Sequence, residues 1–239
     1  MISYKQLVDK TMPPEKRRNA SRCVVGHYLI RPISNLISIP LIERKINPTL
    51  ITKFSLLFAI IPIVSFLWGG IWGFWIGWLS ILVWNILDGV DGNIARYNDC
   101  CSSEGELWDV FVGWVTTIAF YVGMGFTAFY QEEKWTVLAN IPDFLYIFMG
   151  DMAALAWIFP RLMMQKKMTI FGKKAVASVQ DRGHYGIGKL IIFNVTSING
   201  LASVLFLLSY LLGIMEICMI SYFALTIIIA FGSLWTLMR

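Results

Sequence analysis

Three aspartates and an arginine define the chemistry open to this sequence. Asp88 and Asp91 are three residues apart, so on a helix both point from one face. Gly92 and Ala95 lie four residues beyond each of them and leave that face otherwise bare. Arg96 closes the group. Eight residues later Gly105 opens a second segment, with Asp109 one turn inside it. If the two helices pack antiparallel, Asp109 comes level with Asp88 and Asp91. Three converging carboxylates repel unless a cation lies among them, and their hard oxygens suit Mg²⁺, Mn²⁺ or Ca²⁺. A divalent ion beside an arginine and a glycine floor is a site for a phosphate ester. Ion pairing at a helix end would explain one such aspartate, but folding alone does not require the whole combination.

These residues must be held by membrane helices. The chain has 239 residues, 57% of them apolar and only 15% charged, with a mean hydropathy of +0.64. Soluble chains run nearer about 45–50% apolar and about 25% charged. That argues against a water-soluble enzyme, a disordered chain or a disulfide scaffold. A spanning helix needs roughly 20 apolar residues. Continuous apolar runs predict spans over 48–68, 71–96, 105–130, 138–163, 188–212 and 217–237. The runs do not alternate, so they are helices. Residues 23–45 carry Arg31, Arg44, Lys45 and prolines at 32 and 40, and read as amphipathic pieces on the membrane surface. The sequence therefore predicts an all-α integral membrane protein of six transmembrane helices with an N-terminal amphipathic surface helix. Residues 1–46 form a cytoplasmic arm and interfacial helix, and 47–239 the catalytic-type domain.

With six spans, every Lys and Arg of the 20 except Lys134 falls on one side. Such a bias places both termini in the cytoplasm, at the plasma membrane or another membrane facing it. It also accounts for the net charge of +5 without nucleic acid. No signal peptide is expected, because the start stays polar through Ser21. Cys23, Cys100, Cys101 and Cys218 lack zinc-ligand spacing and read as free thiols. A channel or transporter would spread its acids through the depth of the bundle, whereas these concentrate at one face.

The run from Asp88 to Asp109 resembles the signature of the CDP-alcohol phosphotransferases. That signature is Asp-x-x-Asp-Gly-x-x-Ala-Arg, eight residues, Gly, three residues, Asp, three residues, Asp. Asp88, Asp91, Gly92, Ala95, Arg96, Gly105 and Asp109 match in register, seven of eight fixed positions. The resemblance implies transfer of a phosphate-linked group from a CDP-linked donor to an alcohol or lipid acceptor, with release of CMP, in phospholipid biosynthesis. It implies one or two Mg²⁺ or Mn²⁺ ions held by Asp88, Asp91 and Asp109. It implies that Gly92, Ala95, Arg96 and Gly105 seat the CDP moiety, and that the protein is a homodimer. The family also opens its first span with a Pro-Asn-x-(Ile/Val)-Thr element. Pro48 and Thr52 match it here, whereas the Asn position holds Thr49.

The eighth position departs. The family carries an aspartate there as general base, and this chain has Gly113. Losing a positioned base lowers turnover by about 10²–10⁴-fold. Three explanations stand open: an impaired homologue that binds CDP-alcohol, a chain with a substitute base, or an Asp→Gly variant. Candidate substitutes are Glu106, Asp151 and His184, each of which also has a purely structural reading. The basic loop after the fourth span offers Lys173, Lys174 and Arg182 as candidates for an acceptor phosphate, against plain topological bias. Trp68, Trp72, Trp75, Tyr130 and Trp135 read as an interfacial belt. Gly69-Gly70 and Gly123-Met124-Gly125 read as turn or packing glycines.

Overall fold

The computed structural model describes residues 2–132, 141–172 and 185–238. Its elements are helical throughout. Helices α1 (Tyr4–Thr11) and α2 (Pro14–Ser21) precede a π-turn at Gly26–Ile30 that runs into α3 (Arg31–Glu43). The long helices α4 (Pro48–Trp68), α5 (Gly70–Tyr97), α6 (Ser103–Phe129) and α7 (Phe144–Phe171) follow. Then come α8 (Ile187–Thr196), a second π-turn at Ile198–Ala202, α9 (Ser203–Leu211) and α10 (Met215–Met238).

Asn47 starts α4 by accepting the Thr49 N–H at 2.9 Å, with Pro48 in the first turn, where a missing N–H does no harm. Gly69 and Gly70 end it at φ +73° and +67°, a left-handed pair that reverses the chain. Ser102 starts α6 by accepting the Gly105 N–H at 3.0 Å. Helix α4 packs against both α5 and α6, α6 leads on to α7, and α7 packs against α10. The N-terminal end of α4, the C-terminal end of α5 and the N-terminal end of α6 thus share one end of the bundle. Phe66, Phe74, Phe120 and Phe206 fill the centre, with Gly77 leaving room for the Phe66 ring. Apolar side chains such as Leu57, Val64, Ile76 and Ile228 remain exposed on the outside, as a lipid-facing surface requires.

Helices α4, α5, α6, α7 and α10 are each long and apolar enough to cross a membrane. The expected fifth span is broken instead. Its halves, Ile187–Thr196 and Ile198–Leu211, meet at 64°, giving six crossings if the pair counts as one. At the break Ser197 leaves helical geometry, and Gly200 packs so tightly on the Asn194 backbone that a Cβ would overlap it. Asn194 is buried there. Its Oδ1 accepts the Val24 N–H at 3.0 Å, and its Nδ2 donates to Arg22 O at 2.7 Å. The segment before α3 therefore docks on the bend.

Two other boundaries differ from expectation. Helix α7 begins at Phe144 and continues through Lys166 and Lys167 to Phe171, into a stretch expected to be a polar loop. Nothing in that stretch breaks a helix before Gly172 at φ +81°. The arm is not loose either. Leu7 is wholly buried against Ile42 of α3 and Val90 and Ile94 of α5, and Lys10 pairs with Asp99 at 2.9 Å. Helix α3 turns Ser34, Asn35 and Ser38 inward and leaves Tyr28, just before it, and Leu36 exposed. Trp68, Trp72 and Tyr130 are exposed at the end away from the aspartates, whereas Trp75 packs into the core against Phe74 and Trp78. Trp135 lies outside the described residues.

Candidate active site

A groove of about 420 Å³ opens where α4, α5 and α6 share an end. Pro48, Thr49 and Thr52 form its α4 wall. Asp91, Gly92, Ala95 and Arg96 come from α5. The turn at Cys100–Ser103 and then Gly105, Glu106 and Asp109 complete it from α6. Asp88 lies behind this lining, its carboxyl group within hydrogen-bonding reach of the Asp109 carboxyl. The antiparallel packing of α5 and α6 thus does bring Asp109 level with Asp88.

Each polar group is aimed by a neighbour. Thr52 Oγ1 donates to Asp91 Oδ2 at 2.5 Å, in a buried contact that ties α4 to α5. Gly92 lets Arg96 fold back along the helix, since a Cβ at 92 would stand 2.8 Å from the guanidinium. Arg96 is steadied by Asn93, whose Oδ1 accepts from it at 3.3 Å. Asn93 Nδ2 donates in turn to Asn35 Oδ1 at 2.8 Å and to Ser38 Oγ at 3.2 Å. Asn35 Nδ2 donates to the Tyr4 hydroxyl at 3.2 Å. A chain of hydrogen bonds therefore runs from α1 through α3 to the arginine. Such a buried network favours one orientation of the arginine, although Arg96 Nε, at its end, has no partner among the described residues.

The aspartates fit a divalent cation by their chemistry. They are hard oxygen donors, and no ion pair reaches Asp88, Asp91 or Asp109 among the described residues. Neighbouring carboxylates repel one another unless a proton or metal lies between them. The same region does not form a finished ligand cluster. Among the described residues no group of three His, Cys, Asp or Glu side chains is drawn together as one.

Gly113 lies one turn beyond Asp109 on α6 and does not line the groove. A Cβ there would meet only the Trp84 ring, at 3.9 Å. Of the substitute bases, Glu106 lines the groove. Asp151 is on α7, exposed and away from the groove. His184, Lys173, Lys174 and Arg182 lie outside the described residues.

Sequence spacing did not single out Asn93, Asn35, Lys16 or Arg31. Lys16 of α2 is within electrostatic reach of Arg96, Arg31 and Asp88. Burial, then the two guanidinium charges, push its ammonium down to about 7. For Lys16, Arg31 and Asn35 the sequence signal was that charged and amide side chains recur in an arm otherwise easily dismissed as topology, and Asn93 stood at an unspecified position of the signature.

No curated protein matches the chain. The sequence model for the CDP-alcohol phosphatidyltransferase family matches residues 45–233, which takes in α4, α5 and α6 with the whole groove and continues into α10. With that span of the chain matched and the groove built from the signature residues, the protein belongs to the CDP-alcohol phosphatidyltransferase family.

Proposed function

We propose that this protein transfers a phosphate-linked group from a CDP-linked lipid donor to an alcohol acceptor and releases CMP. Membership of the family already makes it a transferase type acting on a CDP-alcohol in phospholipid synthesis. The observation that carries the finer reading is the groove itself. Gly92 and Ala95 give its floor, Arg96 a fixed cation, Gly105 a close approach on α6, and Pro48 and Thr52 its α4 wall. A nucleotide diphosphate fits such a surface, because its charge meets Arg96 and its bulk meets no side chain on the floor.

Asp88, Asp91 and Asp109 would hold one or two divalent ions, Mg²⁺ or Mn²⁺. An ion held there would supply positive charge to offset that on the donor diphosphate. Thr52 keeps the Asp91 carboxylate oriented, and Arg96 holds the nucleotide phosphates in register with the acceptor. Gly113 supplies no base. Glu106, in the same groove, is the residue able to take the acceptor proton, at reduced efficiency. The second reading is a binder that does not turn over, and the missing carboxylate at 113 is what favours it.

The arm and surface helix, 1–46, and the unit 47–239 lie with both termini in the cytoplasm, at the plasma membrane or another membrane facing it. The protein works as a homodimer. One support is the outer face of α7, where Asp151 is exposed among Phe148, Leu155 and Phe159. A carboxylate facing lipid is costly, and a second copy would cover it.

The test is release of CMP by the full chain in nanodiscs, using a CDP-lipid donor, a panel of alcohol acceptors, and Mg²⁺, Mn²⁺ or chelator. CMP appearing only with metal and one acceptor class supports transfer. Metal-dependent CMP binding without release supports the second reading. No cytidine nucleotide binding at all sinks both.

A further inference from the structure

Two of the four cysteines, Cys100 and Cys101, are exposed, and both line the groove. Cys23 and Cys218 are buried. The turn that carries the exposed pair is tightly built. Asp99 takes a left-handed φ of +52°, and the Cys100 N–H donates to Ala95 O at 2.9 Å, which closes the end of α5. Lys10 holds the Asp99 carboxylate at 2.9 Å from the α1 side. Immediately after Cys101, Ser102 starts α6 by accepting the Gly105 N–H at 3.0 Å. The backbone of both cysteines is therefore fixed between two helix ends.

The reaction proposed above uses no thiol. Neither sulfur is engaged by a disulfide or a side-chain hydrogen bond among the described residues, and neither side chain is packed away. A buried cysteine behaves as a small apolar side chain, whereas an accessible one is open to disulfide exchange. Two accessible nucleophiles thus stand in the space that a nucleotide would fill, alongside Gly92, Ala95 and Arg96.

We propose that Cys100 and Cys101 form a thiol-modification site, at which a mixed disulfide with a low-molecular-weight thiol closes the groove to nucleotide. The inference rests on the groove being the CDP site and names a means of regulating it. The cysteine thiolate attacks one sulfur of a small disulfide. A new S–S bond forms to the protein and the original S–S bond breaks. The released thiolate takes up the proton that the cysteine gave up. The small disulfide is the only co-reactant, and exchange with free thiol reverses the step. The attached group occupies part of the 420 Å³ into which CMP would have to fit. A reducing compartment keeps the pair free, so the groove shuts only as small disulfides accumulate.

The full chain in phosphatidylcholine nanodiscs is treated with glutathione disulfide, and adducts are located by peptide mass spectrometry. Adducts are expected at Cys100 or Cys101 and not at Cys23 or Cys218. Mg²⁺-dependent CMP affinity is expected to fall roughly tenfold or more and to recover with dithiothreitol. The double variant Cys100→Ser, Cys101→Ser is compared with itself before and after the same treatment. Whatever its starting affinity, treatment is expected to change it by less than about twofold. In the unmodified chain, saturating CMP with Mg²⁺ is expected to slow labelling of Cys100 and Cys101 by uncharged iodoacetamide. This arm uses no variant and no disulfide.

Adducts at the pair that leave CMP affinity unchanged overturn the proposal. So does an equal loss of affinity in the treated double variant, or labelling that CMP does not slow. A disulfide between Cys100 and Cys101 in place of the adduct also overturns it. Absence of CMP binding in the untreated, reduced chain instead defeats the reading of the groove on which the inference rests.

Discussion

The Thr52 hydroxyl donates to Asp91 Oδ2 at 2.5 Å, joining the first turns of α4 to the end of α5 at the mouth of the groove. Hydrogen bonds to charged groups contribute about 1.5–3 kcal/mol. Thr52→Val keeps the shape and removes the donor. It is expected to weaken Mg²⁺-dependent CMP binding by roughly tenfold or more, with Thr52→Ser close to the unmodified protein. Calorimetric titration of both variants measures this, and equal affinities would show that the bond is only structural.

Gly113 has space around it. A Cβ meets only the Trp84 ring at 3.9 Å, so Gly113→Asp is expected to fold normally. If the missing base limits turnover, the substitution should raise CMP release by about 10²–10⁴-fold. Glu106→Gln should then matter in the unmodified chain and much less when combined with Gly113→Asp. A Gly113→Asp protein no faster than its parent would count against a missing base.

Two glycines should separate function from folding. At Gly92 a Cβ lands 2.8–3.2 Å from the Arg96 guanidinium, a flexible end that can move away. Gly92→Ala should leave thermal stability nearly unchanged and lose nucleotide affinity. At Gly125 a Cβ lands 2.7 Å from Tyr146 O and 3.1 Å from Ile147 Cα, where backbone of α7 cannot yield. Gly125→Ala should destabilise by about 1–3 kcal/mol, the cost of overpacking. Unfolding midpoints and CMP affinity measured on both variants would reveal a reversed pattern.

The docking of the arm on the bent span can be broken at Asn194. Asn194→Leu removes the acceptor for Val24 N–H and the donor to Arg22 O. Stranding such buried groups costs about 1–3 kcal/mol each. Faster proteolysis of the arm in the variant is the expected result, and unchanged cleavage would place the anchor elsewhere.

Lys16 gives a pH signature. Its ammonium is held near 7 in the folded protein by burial and then by Arg96 and Arg31, with Asp88 and Cys101 acting in the opposite sense. Unfolded, it titrates at the ordinary value of 10.5. Between these values the unfolded state binds more protons, so this group makes the protein more stable as pH rises. Below about 7 both states are charged and the penalty is complete. Subtracting the melting profile of Lys16→Met from that of the unmodified chain should leave this upward slope between pH 7 and 10.5. A flat difference would mean that Lys16 is not crowded by the guanidiniums.

Much of this was written in local patterns. Apolar runs fixed the membrane helices, because a lipid-spanning segment must be continuous and self-satisfied in its hydrogen bonds. Spacing placed Asp88 and Asp91 on one face with Gly92 and Ala95, because helical periodicity is a property of neighbouring residues. The register of Gly105 and Asp109 identified the family for the same reason. Tertiary structure alone decided the rest. Leu7 finds Val90, and Tyr4 reaches Arg96 through Asn35 and Asn93, across contacts too distant in sequence for any periodicity to encode. At the bend Asn194 meets the backbone of the arm, and Lys16 comes within electrostatic reach of Arg96 across a long stretch of sequence. Helix faces are set by residues three and four apart. Which faces meet is set by packing and desolvation over the whole chain.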